Sequence, residues 1–194
     1  MIAGLFLAAG LGRRFGSDKL LQNLGSMPLF SHGLHHCLAS SMPEIRVVIG
    51  PRPSRIEDII RAHHPGDPRI SFVVNDDPGR GLASSLRVGF RSLKDACDGA
   101  MVLLADMPLI TAEIIDALIE SFEKSNGIVI PECDGELRHP RVIPARYFDE
   151  FIQLKDGETG ARVIEAHKGE IVPVNVGNPS NYVDIDHPDD LESV

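Results

Sequence analysis

Apolar residues recur along the chain in two rhythms. Short unbroken runs of Ile, Val, Leu and Ala occupy Ile2–Ala8, Arg46–Ile49, Ile70–Val74, Ala100–Leu104 and Ile128–Ile130. Such runs predict strands covered on both faces, because a half-solvated strand would alternate with polar residues. Between them, apolar positions return at helical spacing over Leu29–Leu38, Ser54–His63, Leu82–Leu93 and Thr111–Lys124. Ser54 followed by Glu57 has capping-box spacing, and Thr111 with Glu113 offers a second helix start. Strands and helices that alternate at these lengths predict an α/β fold with a mostly parallel sheet. Beyond Pro131 the pattern loosens into polar loops, with a strand expected near Arg141–Ile143, a short helix near Arg146–Ile152, another near Thr159–His167, and a strand at Ile171–Val174.

No linker, repeat or low-complexity stretch interrupts the 194 residues, so one domain over 1–194 is expected. A body of this size buries roughly 70% of its unfolded surface and needs no staples. The 28 acidic residues outnumber the 19 basic ones, giving a formal charge of −9. Net repulsion of a polyanion, with no basic patch in the sequence, argues against a nucleic-acid partner. Cys37, Cys97 and Cys133 are widely separated and out of metal-ligand spacing, which reads as reduced thiols in a cytoplasmic protein. The first apolar run precedes its arginines and is too short to cross a bilayer, so it reads as a buried strand and not a leader or anchor.

In parallel α/β sheets, ligands gather beyond the carboxyl ends of the strands, which directs attention to the loops that follow them. Strand one runs into AAGLGRRFGSDK, where Gly10, Gly12 and Gly16 allow close backbone approach and Arg13, Arg14 and Lys19 supply positive charge. Amide donors combined with cations are what a polyphosphate requires. The dinucleotide fingerprint fails, because the third glycine is one residue late and no acid ends the second strand. The P-loop fails too, because five residues separate Gly10 from Gly16 and Lys19 comes late. Gly81 precedes a helix whose first turn carries Ser84 and Ser85, hydroxyls suited to base or phosphate. Asp106 ends an apolar strand before Met107-Pro108, a natural place for a hard divalent cation. Near the carboxyl end, Asp184 and Asp186 lead Pro188 and two further acids.

Taken in order, these segments resemble the molybdenum cofactor nucleotidyltransferases. Leu7, Ala8, Ala9, Gly10, Arg14, Gly16 and Lys19 match the LAAG-x-x-x-R-x-G-x-x-K signature at its seven fixed positions. DPGRGLASSL resembles the element that reads base and ribose, LLADMP the metal-binding strand end, and DIDHPDDL the tail whose carboxylates approach the same metal. His187 stands where the family usually has Thr. Arg138, His139 and Pro140, with Gly160, Ala161 and Arg162, resemble the loops lining the acceptor pocket. Two departures mark them: Arg138 replaces a glycine, and Asp156 sits ahead of its usual place.

The resemblance implies a three-layer, Rossmann-like sheet of seven strands with one antiparallel member. It also implies Mg²⁺-dependent transfer of CMP from CTP to the phosphate of molybdopterin, with pyrophosphate released. Arg14, Lys19 and Asp106 would be catalytic, Asp106 with Asp186 or Asp184 would hold Mg²⁺, and a molybdenum hydroxylase would be the client. Ala9, where guanylyl enzymes carry Gly, and His139-Pro140 point to CTP. GTP as donor, another phosphate acceptor, and a non-catalytic carrier of the finished cofactor are the alternative readings.

Overall fold

The structure, a computed structural model, describes residues 1–10 and 18–192. One central sheet carries strands β1 (Ile2–Ala8), β4 (Ile45–Ile49), β5 (Ile70–Val74), β6 (Gly99–Leu104), β7 (Ile128–Cys133), β8 (Glu136–Leu137), β9 (Arg141–Pro144) and β10 (Ile171–Asn175). Its order is β10-β7-β9-β6-β1-β4-β5, with β8 paired to β7 off that path. The contacts β6–β1, β1–β4, β4–β5 and β10–β7 are parallel. Strand β9 runs against both β6 and β7. The seven-strand path with one reversed member is as expected, and the β7–β8 hairpin adds an eighth strand. That hairpin turns on Asp134 and Gly135, both at positive φ (54° and 76°), the backbone that an Asp-Gly turn supplies. A second small hairpin joins β2 (Asn23–Leu24) and β3 (Met27–Pro28).

Helices cover both faces. Alternate residues of β1 separate into two cores: Ile2, Phe6 and Ala8 face α1 (Leu29–Ala39), α2 (Arg55–His63) and α4 (Ala112–Ser125). Ala3, Leu5 and Leu7 face α3 (Leu82–Leu93), α5 (Phe148–Ile152) and α6 (Ala161–Ala166). All seven residues of β1 are therefore buried, which is why its sequence shows no alternation. Helix α4 presents Ile114, Ile115, Leu118, Ile119 and Phe122 along one stripe to the first core. Helix α3 lies so close on β1 that a Cβ at Gly89 would fall 2.6 Å from Leu5 Cδ1. Ser54 caps α2 by accepting from the Glu57 amide, as its spacing predicted, but the Glu57 carboxylate turns to Arg52 and Arg61 instead of closing the box.

The helix expected over Thr159–His167 is confined to α6, and Thr111 starts α4 without a side-chain cap bond. Cys37, Cys97 and Cys133 are free thiols, and burial pushes the Cys37 pKa up to about 12. Among the described residues no helix is long and apolar enough to cross a membrane.

Candidate active site

The chain leaves β1 to build β4 and β5 on one side, then returns to lay β6 on the other. The topological switch therefore falls between β1 and β6, where such sheets open a crevice beyond their carboxyl ends. The Ala105 amide donates to the Leu7 carbonyl at 3.2 Å and clasps the two strand ends together. On either side of this clasp stand Lys19, in the 3₁₀ turn Lys19–Leu21 that follows the glycine loop, and Asp106, two residues past β6.

Their side chains meet. Lys19 Nζ donates to Asp106 Oδ2 at 2.8 Å and to Asp186 Oδ1 at 3.1 Å, joining three segments that lie far apart in sequence. The Lys19 side chain is only 10% exposed, whereas Asp186 is 47% exposed. Burial works to lower the Lys19 pKa, but hydrogen bonds and negative charge from Asp106 and Asp186 outweigh it and hold the pKa above the ordinary lysine value. The ammonium is thus fixed as a cation at the mouth of the crevice.

The tail reaches this point through backbone pairing. The Ile185 amide donates to the Asp106 carbonyl at 3.0 Å, and its fully buried side chain anchors in the core shared by α1 and α4. Asp186 thereby arrives at Lys19, while Asp184 is exposed. Asp190 accepts the His187 and Asp186 amides at 2.7 and 2.8 Å, and these bonds lower its pKa. Capping at this turn thus comes from Asp190, so His187 in place of the family's Thr costs the local structure no cap.

Gly12, Arg13, Arg14 and Gly16 lie outside the described residues. Leu7, Ala8 and Ala9 are buried at the end of β1, and Gly10 is exposed beyond them. Gly81, at φ 83°, makes the turn into α3, and Ser84 donates to its carbonyl at 2.8 Å. Ser84 and Ser85 are both buried, and both accept from Asn75 Nδ2, at 2.9 and 3.0 Å. Asn75 directly follows β5, its amide donating to the Ile49 carbonyl and its Oδ1 accepting from the Asp77 amide. The sequence reading missed Asn75. Its position one residue past an apolar strand was the available signal.

The acceptor-side residues divide. Arg138 pairs with Glu136 at 2.5 Å, and Arg162 is 62% exposed beside Glu158. Asp156, the displaced acid, takes Arg87 at 2.7 Å and so ties its loop to α3. His139 and Gly160 instead line a cavity of about 180 Å³ walled by Leu86, Val102, Leu104 and Phe151. Pro140 follows His139 as a buried residue. Arg141, which the sequence reading passed over, lines the same cavity. Burial, and then the Arg141 charge, push the His139 pKa down to about 4, so its ring is neutral near pH 7.

Asp106 and Asp186 offer hard oxygen donors at one point, the chemistry that suits Mg²⁺. Among the described residues no group of three or more His, Cys, Asp or Glu side chains is placed to hold a metal ion. Two carboxylates suffice where substrate phosphates and water complete the shell, as Mg²⁺ prefers.

Comparison with known proteins identifies the family. Residues 4–171 match the MobA-like NTP transferase domain. The chain is 28% identical to the purine catabolism protein PucB of Bacillus subtilis over all of its own length and 95% of that protein. It is 25% identical to a probable molybdenum cofactor guanylyltransferase of Thermococcus sibiricus, over 78% of its own length and 71% of that protein. Among solved structures, a homologue of Mycobacterium tuberculosis rv0371c from Mycobacterium sp. strain JC1 superposes with a TM-score of 0.80 at 26% identity, covering 99% of this chain and 93% of that one. With the switch-point crevice, the lysine between two carboxylates and this match, the chain belongs to the MobA-like NTP transferases and is a nucleotidyltransferase.

Proposed function

We propose that the protein transfers CMP from CTP to the terminal phosphate of molybdopterin in a Mg²⁺-dependent reaction, as a single domain acting in the cytoplasm. The observation that carries the reading is the convergence of Lys19 with Asp106 and Asp186 at the strand switch point. A phosphate oxygen of the acceptor attacks the α-phosphorus, the bond to the β-phosphate oxygen breaks, and pyrophosphate leaves with the electron pair. No protein nucleophile is required; positioning and charge neutralisation lower the barrier. On the family resemblance, Arg14 and Lys19 would neutralise the developing negative charge, and backbone amides of the glycine-rich segment would receive the phosphate oxygens. Asp106 and Asp186 would hold Mg²⁺, which when bound supplies further neutralisation of the triphosphate. Gly81, Ser84 and Ser85, with Asn75 fixing both hydroxyls, form the base and ribose side. A molybdenum hydroxylase is the expected client for the product.

GTP is the second donor to test, because one relative is a probable guanylyltransferase. Protein, Mg²⁺ and molybdopterin are mixed with CTP or GTP, and pyrophosphate is measured. Release with CTP, lost by about a hundred- to a thousandfold in Asp106→Asn, is the expected result. Preference for GTP reassigns the donor, and tight cofactor binding without any turnover favours the carrier reading.

A further inference from the structure

Two turns from opposite ends of the sequence meet beside the crevice, and a chain of arginines and aspartates joins them. On the nucleotide side, the 3₁₀ turn Pro78–Arg80 leads through Gly81, at φ 83°, into α3. On the other side, the turn at 155–158, with Gly157 at φ 82°, leads into Thr159, Gly160 and Ala161. Leu82, the first residue of α3, borders the same cavity as those three residues, so each turn adjoins its rim.

The acids of the second turn divide their work. Glu158 serves the turn itself: its Oε2 accepts the Lys155 amide at 2.7 Å and lies 3.4 Å from Arg162. Asp156 reaches outward. Arg87 of α3, only 18% exposed, donates to Asp156 Oδ1 at 2.7 Å and to the Leu154 carbonyl at 2.8 Å, which fixes one end of the chain. The second Asp156 oxygen lies 3.5 Å from Arg80 Nη1, while Arg80 Nε donates to Asp77 at 2.8 Å. Arg80 thus bridges its own turn and the one opposite, and the longer of its two contacts falls short of a made hydrogen bond.

A contact of that length between two exposed groups leaves both turns with freedom to lose. Whatever orders one turn prepays part of the entropy of closing the contact and so favours order in the other. A nucleotide seated on Gly81, Ser84 and Ser85 orders the first turn, and the second is the one that gains.

We propose that Arg80 and Asp156 are positioning residues that couple the nucleotide side of the crevice to its acceptor side, so that bound nucleotide orders residues 155–161. This rests on the reading of Gly81, Ser84 and Ser85 as nucleotide contacts, and it requires no particular acceptor. The coupling is reciprocal, and an exposed ion pair limits it to about two- to fivefold.

Amide hydrogen exchange on the full chain, with Mg²⁺ and saturating CTP or GTP added in turn, reads both turns at once. In wild type the donor nucleotide slows exchange across 77–85 and, by about two- to fivefold, across 155–161. In Arg80→Gln and in Asp156→Asn the slowing of 77–85 persists and that of 155–161 is lost. Arg80→Gln leaves both Arg87 bonds in place, so its loss is not collapse of the second turn. The double variant loses no more than either single one, and Arg80→Lys, which keeps the charge, recovers part of the effect. In about 1 M salt, where the screening length is about 3 Å, wild type falls to the level of the variants. Slowing of 77–85 with 155–161 unmoved in wild type, or equal slowing of 155–161 in wild type and both variants, overturns the coupling and leaves the nucleotide reading standing. Slowing of neither segment by CTP or GTP refutes the nucleotide reading and the coupling with it.

Discussion

Lys19→Met separates what the ammonium does for the fold from what it does for catalysis. Methionine keeps the length and apolar stem and removes only the charge. That charge makes two bonds, 2.8 Å to Asp106 and 3.1 Å to Asp186. Hydrogen bonds to charged groups contribute about 1.5–3 kcal/mol each. Asp186, however, is 47% exposed and keeps much of its hydration, so its bond belongs near the 0–1 kcal/mol of surface pairs. Losing both costs about 2–3 kcal/mol, and relieving the desolvation of a 10% exposed lysine returns part of that. The net loss is about 1–2 kcal/mol, a fall in Tm of roughly 2–8 °C for a chain of this size. Catalysis should suffer far more, because a charge contact that strengthens toward the transition state is worth roughly a hundred- to a thousandfold in rate.

The same variant tests the metal assignment. With the ammonium gone, two carboxylates face one point without the cation that neutralises them. Mg²⁺ in the absence of nucleotide should therefore raise the Tm of Lys19→Met more than that of wild type, by the mass-action stabilisation of a ligand that binds only the folded state. Lys19→Met combined with Asp106→Asn should lose that gain. Differential scanning calorimetry with and without Mg²⁺ reads the stability, and pyrophosphate release reads the activity. A variant that keeps wild-type turnover refutes the catalytic role of Lys19. An equal Mg²⁺ response in wild type, single and double variants refutes the shared carboxylate site.

His139 carries a folded pKa of about 4 against an ordinary 6.5, so between those values the unfolded chain binds the extra proton and stability must fall as pH falls. The loss is about 1–3 kcal/mol over that window, and chemical denaturation at pH 7 and pH 4.5 should show it shrink in His139→Gln. Gly89→Ala would gain up to about 1 kcal/mol of helix propensity. It would also set a Cβ 2.6 Å from buried Leu5 Cδ1, so a net loss of about 1–3 kcal/mol and a lower Tm are expected; an unchanged Tm refutes the tight α3–β1 seam. Asn75→Ala leaves both Ser84 and Ser85 without their shared donor and should raise the CTP KM by about tenfold with the molybdopterin KM unchanged, whereas parallel changes in both would indicate general damage.

Local pattern was enough for the elements whose cause is local. Unbroken apolar runs marked β1 and β5 to the residue, and α3 ran from Leu82 to Leu93 as its periodicity indicated. The runs erred where pairing, and not composition, ends a strand: β7 continues past Ile130 through Pro131 and Glu132 to Cys133 because β10 and β8 pair with those residues. The β7–β8 hairpin was readable in principle from Asp134-Gly135, but two residues of exposed strand give no hydrophobic alternation to accompany the turn.

The site was legible to the extent that each residue announces its own chemistry, and no further. Asp184 and Asp186 are the same residue type two positions apart, and nothing local chooses between them. The choice is made by Ile185, whose amide binds the Asp106 carbonyl and whose side chain is locked in the core, so that Asp186 arrives at Lys19. Arg138 and Arg141 present the same ambiguity on the other side of the crevice. Arg138 stands out because it replaces a glycine in the resembled loop, yet Glu136, two residues earlier in β8, pairs with its guanidinium. Arg141 looked like the first residue of a strand, and it is one. Because β9 is the reversed strand between β6 and β7, the start of β9 lies at the ligand-binding end of the sheet, where the parallel strands finish. A residue type that would be idle at the start of a parallel strand is thereby delivered into the cavity beside Leu104. Strand direction is a property of the whole sheet, and here it is what places Arg141 at the cavity.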